Sequence, residues 1–260
     1  MAFLQMNYRS KALSNEVSLN IILPEGIKKT GVAGAPDGSF KTLYLLHGLN
    51  GDHTMWMRKT SIERYAEKYG IAVVMPSVYR SWYTDTAYGS NYFTFVCEEL
   101  PEVFRSYFKG ASDKREDNFI GGLSMGGYGA LKAALTYPEK YFYAISLSGA
   151  LDITRRGREC NLDEWRAIFD FCMLSPTELD GTRADLFELL KRRVREKVDL
   201  PELYLWCGSE DTLLPINERF SRELCEYGIE HTFDVSEGDH SWRFWDMHIE
   251  RALDFIFKNS

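Results

Sequence analysis

From Lys41 onward the chain alternates between two hydrophobic patterns. Short, continuous apolar runs rich in β-branched and aromatic residues occur at Thr42–Leu46, Ile71–Met75, Asn118–Leu123, Phe142–Leu147, Leu203–Trp206 and His231–Val235. Between most of them lie longer stretches with apolar residues at three- and four-residue spacing: Ser61–Tyr69, Tyr92–Phe108, Gly126–Thr136, Asn217–Tyr227 and Ser241–Phe257. A run that is apolar at every position suits a strand covered on both faces. Its alternation with helices predicts an α/β protein with a mostly parallel central sheet and helices on both faces. Upstream, Phe3–Ala12 and Val17–Leu23, joined near Ser14-Asn15, predict an N-terminal β-hairpin. The Gly-rich stretch Gly31–Gly38 reads as the loop that follows it.

One interval breaks the rhythm. Between the strand ending near Leu147 and the strand at Leu203, residues 148–202 carry charge-rich helical stretches at Asp163–Phe171 and Arg183–Lys197. That is too much chain for a simple crossover. It is read as an insertion within one domain spanning 1–260, placed to roof the sheet edge where ligands bind. Its Trp165, Phe169, Phe171 and Met173 either line a lid or pack the insertion onto the domain.

Composition narrows the classes. The 260 residues are 45% hydrophobic and 27% charged, which is ordinary for a globular chain and excludes a disordered one. The net charge of −7 repels phosphates and anionic lipid, so neither nucleic acid nor a membrane is expected as a partner. The N-terminus has no apolar signal core and no run is long enough for a membrane span, which points to the cytoplasm. The five cysteines, 97, 160, 172, 207 and 225, are irregularly spaced and include no C-x-x-C pair. Neither a metal nor a disulfide framework is indicated, and Cys97 and Cys207 read as buried reduced thiols. No cofactor motif stands out. The remaining compositional signal is 14% aromatic residues, suited to a ring-rich core or an apolar pocket.

The strand Asn118–Leu123 runs into Gly122-Leu123-Ser124-Met125-Gly126, a G-x-S-x-G pentapeptide, and a helical stretch follows. A serine that attacks a carbonyl must stand clear of the sheet edge on a sharp turn. The residues two before and two after it then crowd the backbone and must lack side chains. Ser124 also opens a helix, where free N–H groups and the dipole favour developing negative charge. A dinucleotide fingerprint is excluded, because Gly127 and Gly129 would need a third glycine where Lys132 stands.

A serine hydroxyl needs a base, and in sheet-based serine hydrolases an acid and then a histidine follow the nucleophile. His240, in the turn Ser236–Ser241 between the last strand and last helix, is the candidate base. His231 falls at the wrong end of that strand, and His248 inside the helix. Asp211, after the strand Leu203–Gly208, is the candidate acid, with Asp152 one strand earlier as its competitor; the acid fixes the imidazole tautomer and stabilises the imidazolium. The candidate oxyanion donors are the N–H groups of Met125 and Leu49, with Gly48 allowing the close turn. His47 reads as a loop anchor.

Together these landmarks resemble the esterase D group of α/β-hydrolases, which includes S-formylglutathione hydrolases, tributyrin esterases and feruloyl or acetyl esterases. The resemblance is carried by Tyr44-Leu-Leu-His-Gly48, Trp56, Val74-Met-Pro76, Trp82-Tyr-Thr-Asp85, Glu98-Glu-Leu-Pro101, Gly121–Gly129, Ser148-Gly-Ala150, Trp206-Cys-Gly208, Asp211 and Gly238-Asp-His-Ser-Trp242. The nearest likeness is to small bacterial tributyrin esterases. The resemblance implies an α/β-hydrolase fold and a serine carboxylesterase that cleaves short-chain acyl or aryl-acyl esters through Ser124, His240 and Asp211. It further implies a homodimer or tetramer. The segment Gly48-Leu49-Asn50-Gly51 departs from the Gly-Leu-Thr-Cys run of S-formylglutathione hydrolases, which argues against a glutathione thioester.

Loop aromatics Trp56, Trp82, Tyr83 and Trp242 are the expected walls of the pocket for a small-molecule ester, while Trp245, one turn into the last helix, is expected in the core. Acyl transfer to an alcohol shares the acyl-enzyme and is an alternative outcome. A non-catalytic binding protein of the same fold is the alternative from another class, and would have no reason to keep a complete triad.

Overall fold

The computed structural model describes residues 1–25, 38–86, 89–159 and 179–258. Eight strands form one sheet: β1 (Ala2–Ser10), β2 (Asn15–Leu23), β3 (Thr42–Leu46), β4 (Ala72–Pro76), β5 (Asn118–Leu123), β6 (Tyr143–Leu147), β7 (Glu202–Gly208) and β8 (His231–Ser236). Their order is β1-β2-β4-β3-β5-β6-β7-β8. The β1–β2 hairpin joins β4 antiparallel, and every later pairing is parallel. The expected strands and hairpin are therefore present, with ends shifted by a residue or two.

Successive side chains of a strand face opposite sides of the sheet, so continuous burial along β3–β7 feeds two cores. On one side Tyr44, Leu46 and Ile120 meet α4 (Leu100–Tyr107), α5 (Met125–Thr136), α7 (Leu186–Glu196) and α8 (Leu214–Glu226). On the other, Leu43, Leu45 and Phe119 meet α1 (Met55–Lys59), α2 (Ile62–Tyr69) and α9 (Trp242–Lys258).

The single helix expected over Tyr92–Phe108 is broken in an informative way. A short turn, α3 (Tyr92–Thr94), leads through a π-helical segment, Phe95–Glu99, into α4. Pro101 has no N–H to give the turn before it. The carbonyl of Cys97, where that bond would fall, instead accepts from Lys140 Nζ at 2.9 Å. The wider turn presents Glu99 to the hairpin, where it accepts from Ser10 Oγ and from the N–H groups of Lys11 and Ala12.

Within the interval 148–202, α6 (Ile153–Glu159) leaves the sheet edge and α7 returns to pack on α5. Arg193 of α7 donates to the terminal carbonyls of α5, Leu135 and Thr136. The helical stretch expected at Asp163–Phe171, Met173 after it, and residues 31–37 of the expected loop lie outside the described residues. Among the described residues no helix is long and apolar enough to cross a membrane.

Candidate active site

The turn between β5 and α5 is the most constrained point of the sheet. Ser124 has φ 53° and ψ −116°, outside the ordinary regions for an L-residue, at a cost of about 1–3 kcal/mol that its surroundings must hold. Three main-chain bonds do so: Ser124 N–H donates to Leu147 O, and its carbonyl accepts from Tyr128 N–H and Ala150 N–H. A Cβ on Gly122 would lie 2.5 Å from the Gly126 carbonyl carbon, and one on Gly126 would lie 2.4 Å from Leu46 O. Both glycines are therefore demanded by backbone approaching backbone.

The other candidates come from neighbouring strand ends. His240, between β8 and α9, has Nε2 3.0 Å from Ser124 Oγ. Its Nδ1 lies 2.8 Å from Asp211 Oδ2, just beyond β7. Asp211 is fully buried at its side chain, while the His240 ring is 35% exposed. The second carboxylate oxygen accepts from Leu213 N–H at 2.8 Å. Burial pushes the Asp211 carboxyl up, but hydrogen bonds from His240, Leu213 and Ser148, with the charge of His240, outweigh it and hold its pKa below the usual value. An ionised carboxylate only accepts, so the ring proton sits on Nδ1 and Nε2 is free to take the proton of Ser124.

The acid and base loops are joined through their main chains. Ser209 N–H donates to Ser236 O, and Glu210 N–H to Gly238 O. A Cβ on Gly208 would sit 2.2 Å from Gly238 O. The competing carboxylate, Asp152, is engaged elsewhere: it accepts from Arg155 N–H at the start of α6 and pairs with Arg219.

The turn after β3 lies against the serine, for a Cβ on Gly48 would stand 3.5 Å from Ser124 Cβ. His47 shapes this turn. Its Nδ1–H donates to Gly48 O at 2.8 Å, and its Nε2 accepts from Val78 N–H at 3.1 Å. Burial lowers its pKa to about 4, which keeps the ring neutral and suited to this donor-and-acceptor task. Leu49 follows directly. The N–H of Met125 belongs to the first turn of α5, whose donors have no acceptor within the helix.

Three expected pocket walls prove to be core residues. Trp56 is 1% exposed, with its indole N–H on Leu46 O at 3.0 Å. Trp82 and Tyr83 have φ of 52° and 48°, so the loop folds both rings inward. Trp82 lies edge-to-face on Tyr128, and Tyr83 donates from its hydroxyl to His47 O. The buried ammonium of Lys132 clamps this turn by donating to Tyr83 O and Thr84 Oγ1, both at 2.8 Å. Placement in loops is what makes these rings read as pocket walls. Each polar tip instead finds a main-chain partner inside, or the ring a packing partner. Trp242 is partly buried, and its ring stands between those of Trp56 and Trp245.

Trp245 is buried, as expected, but it also touches the site. Its ring meets that of His240 at right angles, and its N–H reaches Ser148 Oγ. Ser148 was missed as a functional residue. The available signal was its position as a polar residue at the carboxyl end of β6, between the strands carrying Ser124 and Asp211. Among the described residues no group of three or more His, Cys, Asp or Glu side chains is placed to hold a metal ion. Cys97 and Cys207 are buried free thiols, each pushed up to about 12 by burial.

The family model named Esterase matches residues 10–256. An acetyl esterase of Caldicellulosiruptor saccharolyticus is 34% identical over 270 residues, covering 100% of both chains. A substrate-bound fluorophosphonate-binding serine hydrolase of Staphylococcus aureus superposes with a TM-score of 0.86 at 36% identity, covering 98% of each chain. An S-formylglutathione hydrolase from the same organism, solved as apoenzyme, gives a TM-score of 0.84 at 36% identity with the same coverage.

Proposed function

This chain belongs to the Esterase family, within the esterase D group of α/β-hydrolases, and on that premise we propose that it is a serine carboxylesterase for short-chain acyl or aryl-acyl esters with Ser124, His240 and Asp211 as its triad. One observation carries the assignment of roles: the continuous relay from Ser124 Oγ through His240 to Asp211, with spans of 3.0 and 2.8 Å.

In the first half-reaction Ser124 Oγ attacks the ester carbonyl carbon while His240 Nε2 takes its proton. The new oxyanion accepts from the N–H groups of Met125 and Leu49; donors fixed in advance stabilise charge with no reorganisation as it forms, and losing one typically costs ~10²–10³ in turnover. Asp211 stabilises the imidazolium. The intermediate collapses, the C–O bond to the alcohol breaks, and the alkoxide takes the proton held on Nε2. In the second half-reaction water attacks the acyl-enzyme with His240 again as base, and the carboxylic acid leaves.

The decisive experiment traps the acyl-enzyme. Purified protein mixed with p-nitrophenyl acetate and acid-quenched should carry one acetyl group, on the peptide containing Ser124. A fluorophosphonate should abolish turnover by labelling the same residue. Label on another residue, or turnover that persists after complete labelling, would overturn the reading.

A second reading, hydrolysis of S-formylglutathione, is favoured by the 36% identity to the staphylococcal enzyme of that name. The Gly48-Leu49-Asn50-Gly51 turn favours oxygen esters instead. Comparing kcat/KM for acetyl, butyryl, octanoyl, feruloyl and S-formylglutathione substrates separates the two. Transfer to added alcohols is scored in the same assay. The family likeness also supports a homodimer or tetramer, testable by light scattering. We read 1–260 as one catalytic domain with 148–202 as an insertion beside the site.

A further inference from the structure

A perpendicular ladder of three indoles ends on the proposed base. The Trp56 and Trp242 rings are 5.3 Å apart at 85°, Trp242 and Trp245 5.4 Å at 86°, and Trp245 and His240 4.8 Å at 89°. The far end is anchored by the Trp56 N–H on Leu46 O. The near end is anchored by the Trp245 N–H, which donates to Ser148 Oγ at 3.1 Å inside the protein. Ser148 is itself fully buried and held at φ 49°, with its N–H on Trp206 O at 2.7 Å.

The directions of these bonds are fixed by chemistry. An indole N–H only donates, so Ser148 Oγ accepts there and retains its own hydrogen. That hydroxyl is among the groups that hold the Asp211 carboxyl below its usual pKa. Burial keeps the neighbouring Cys207 thiol protonated. A single side chain, Trp245, therefore abuts the base directly and is itself anchored by one buried hydroxyl. The imidazole needs such a brace. Its hydrogen bonds to Asp211 and Ser124 fix Nδ1 and Nε2, and a ring held at two atoms still turns about the line through them. One side of the ring faces solvent, and nothing in those two contacts resists the turn. The indole, meeting the ring at right angles, does.

We propose that Trp245 and Ser148 are positioning residues of the active site, the indole holding the plane of the His240 ring and the hydroxyl anchoring the indole by accepting its N–H. The inference rests on the triad reading above. It assigns a task to two residues outside the Ser124–His240–Asp211 relay.

The test compares Trp245→Leu, which removes the ring, with Trp245→Phe, which keeps a ring and removes the donor, and Ser148→Ala, which removes the hydroxyl. Because small displacements of a catalytic group can cost ~10²-fold, Trp245→Leu should lower kcat for p-nitrophenyl acetate by about 100-fold with KM little changed. Trp245→Phe and Ser148→Ala should each lose about tenfold, and their double variant no more than either alone, since both break the same bond. The low-field proton resonance of His240 Nδ1–H, sharp in the parent, should broaden in Trp245→Leu. Folding is checked by circular dichroism; if Trp245→Leu does not fold, the two conservative variants and their double decide. Wild-type kcat and an unchanged resonance in folded variants would overturn the proposal, as would a fall in melting temperature alone. Ser124→Ala is assayed alongside: activity remaining there would refute the triad reading, while the resonance, which needs no turnover, still judges the brace.

Discussion

Two serine–histidine pairs stand at opposite ends of the sheet, and the shorter of them is the one without catalytic surroundings. At the amino end of β8, Ser221 Oγ lies 2.7 Å from His231 Nε2, whose Nδ1 is 3.0 Å from Ile229 O. At the carboxyl end the Ser124–His240 separation is 3.0 Å. Both rings are thus fixed in the same tautomer. Behind His231, however, stands a neutral carbonyl, which orients a ring but cannot stabilise an imidazolium as the Asp211 carboxylate does. Ser221 also sits inside α8, where the main-chain N–H groups are engaged in the helix. Ser124 opens α5, where they are free. Hydrogen-bond length therefore carries no information about catalysis here. Charge behind the ring and open donors beside the hydroxyl do.

The largest test of that contrast removes each hydroxyl in turn. Ser124→Ala should lose about 10⁶-fold in turnover of p-nitrophenyl butyrate, as loss of a triad serine does elsewhere. Ser221→Ala should keep wild-type turnover, and an equal loss in both would break the comparison. Next in size, Asp211→Asn leaves an acceptor behind the ring but no charge. It makes the active pair resemble the idle one and should cost about 10⁴-fold in kcat.

Smaller effects fall on stability. His47 has its pKa lowered to about 4 from 6.5, so between those values the unfolded chain binds a proton that the folded chain refuses. Stability must therefore fall as pH drops through that window, by up to about 3 kcal/mol once the pH is below 4, and is unaffected by this group above pH 6.5. Urea unfolding at pH 7 and pH 5 measures the loss, which should be smaller in His47→Gln. The other buried histidine, His248, is shifted in the same direction. Gly126→Ala forces a methyl group to 2.4 Å from Leu46 O and should destabilise the fold by about 2 kcal/mol, measured by thermal unfolding. Least of all, Ser221→Ala should cost about 1 kcal/mol, the worth of one ordinary hydrogen bond.

What could be read from the sequence follows the range of the forces involved. The strands β3 to β7 were legible because burial on both faces writes itself into consecutive residues. The glycines around Ser124 were legible because the clash they avoid lies within the turn and with the strand beside it. The direction of a ring was not. Trp82 and Tyr83 turn inward because of positive φ at bulky residues, and no Gly or Asn marks that bend. The hold on it comes from Lys132, an ammonium on a different element. Ser148 was illegible as a partner of Asp211 for a related reason: only the parallel pairing of β6 with β7 brings them together. The π-helical turn before α4 was half legible, since Pro101 announces a defect but not that Lys140 fills it.

The contact between Gly208 and Gly238 has an evolutionary reading. Because main chain meets main chain there, the geometry joining carboxylate to imidazole is inherited with the scaffold and does not depend on the neighbouring side chains. Descendants of this sequence can vary the side chains around these two loops with the Asp211–His240 hydrogen bond carried along unaltered. Diversification without retuning is what that pair of missing methyl groups makes available.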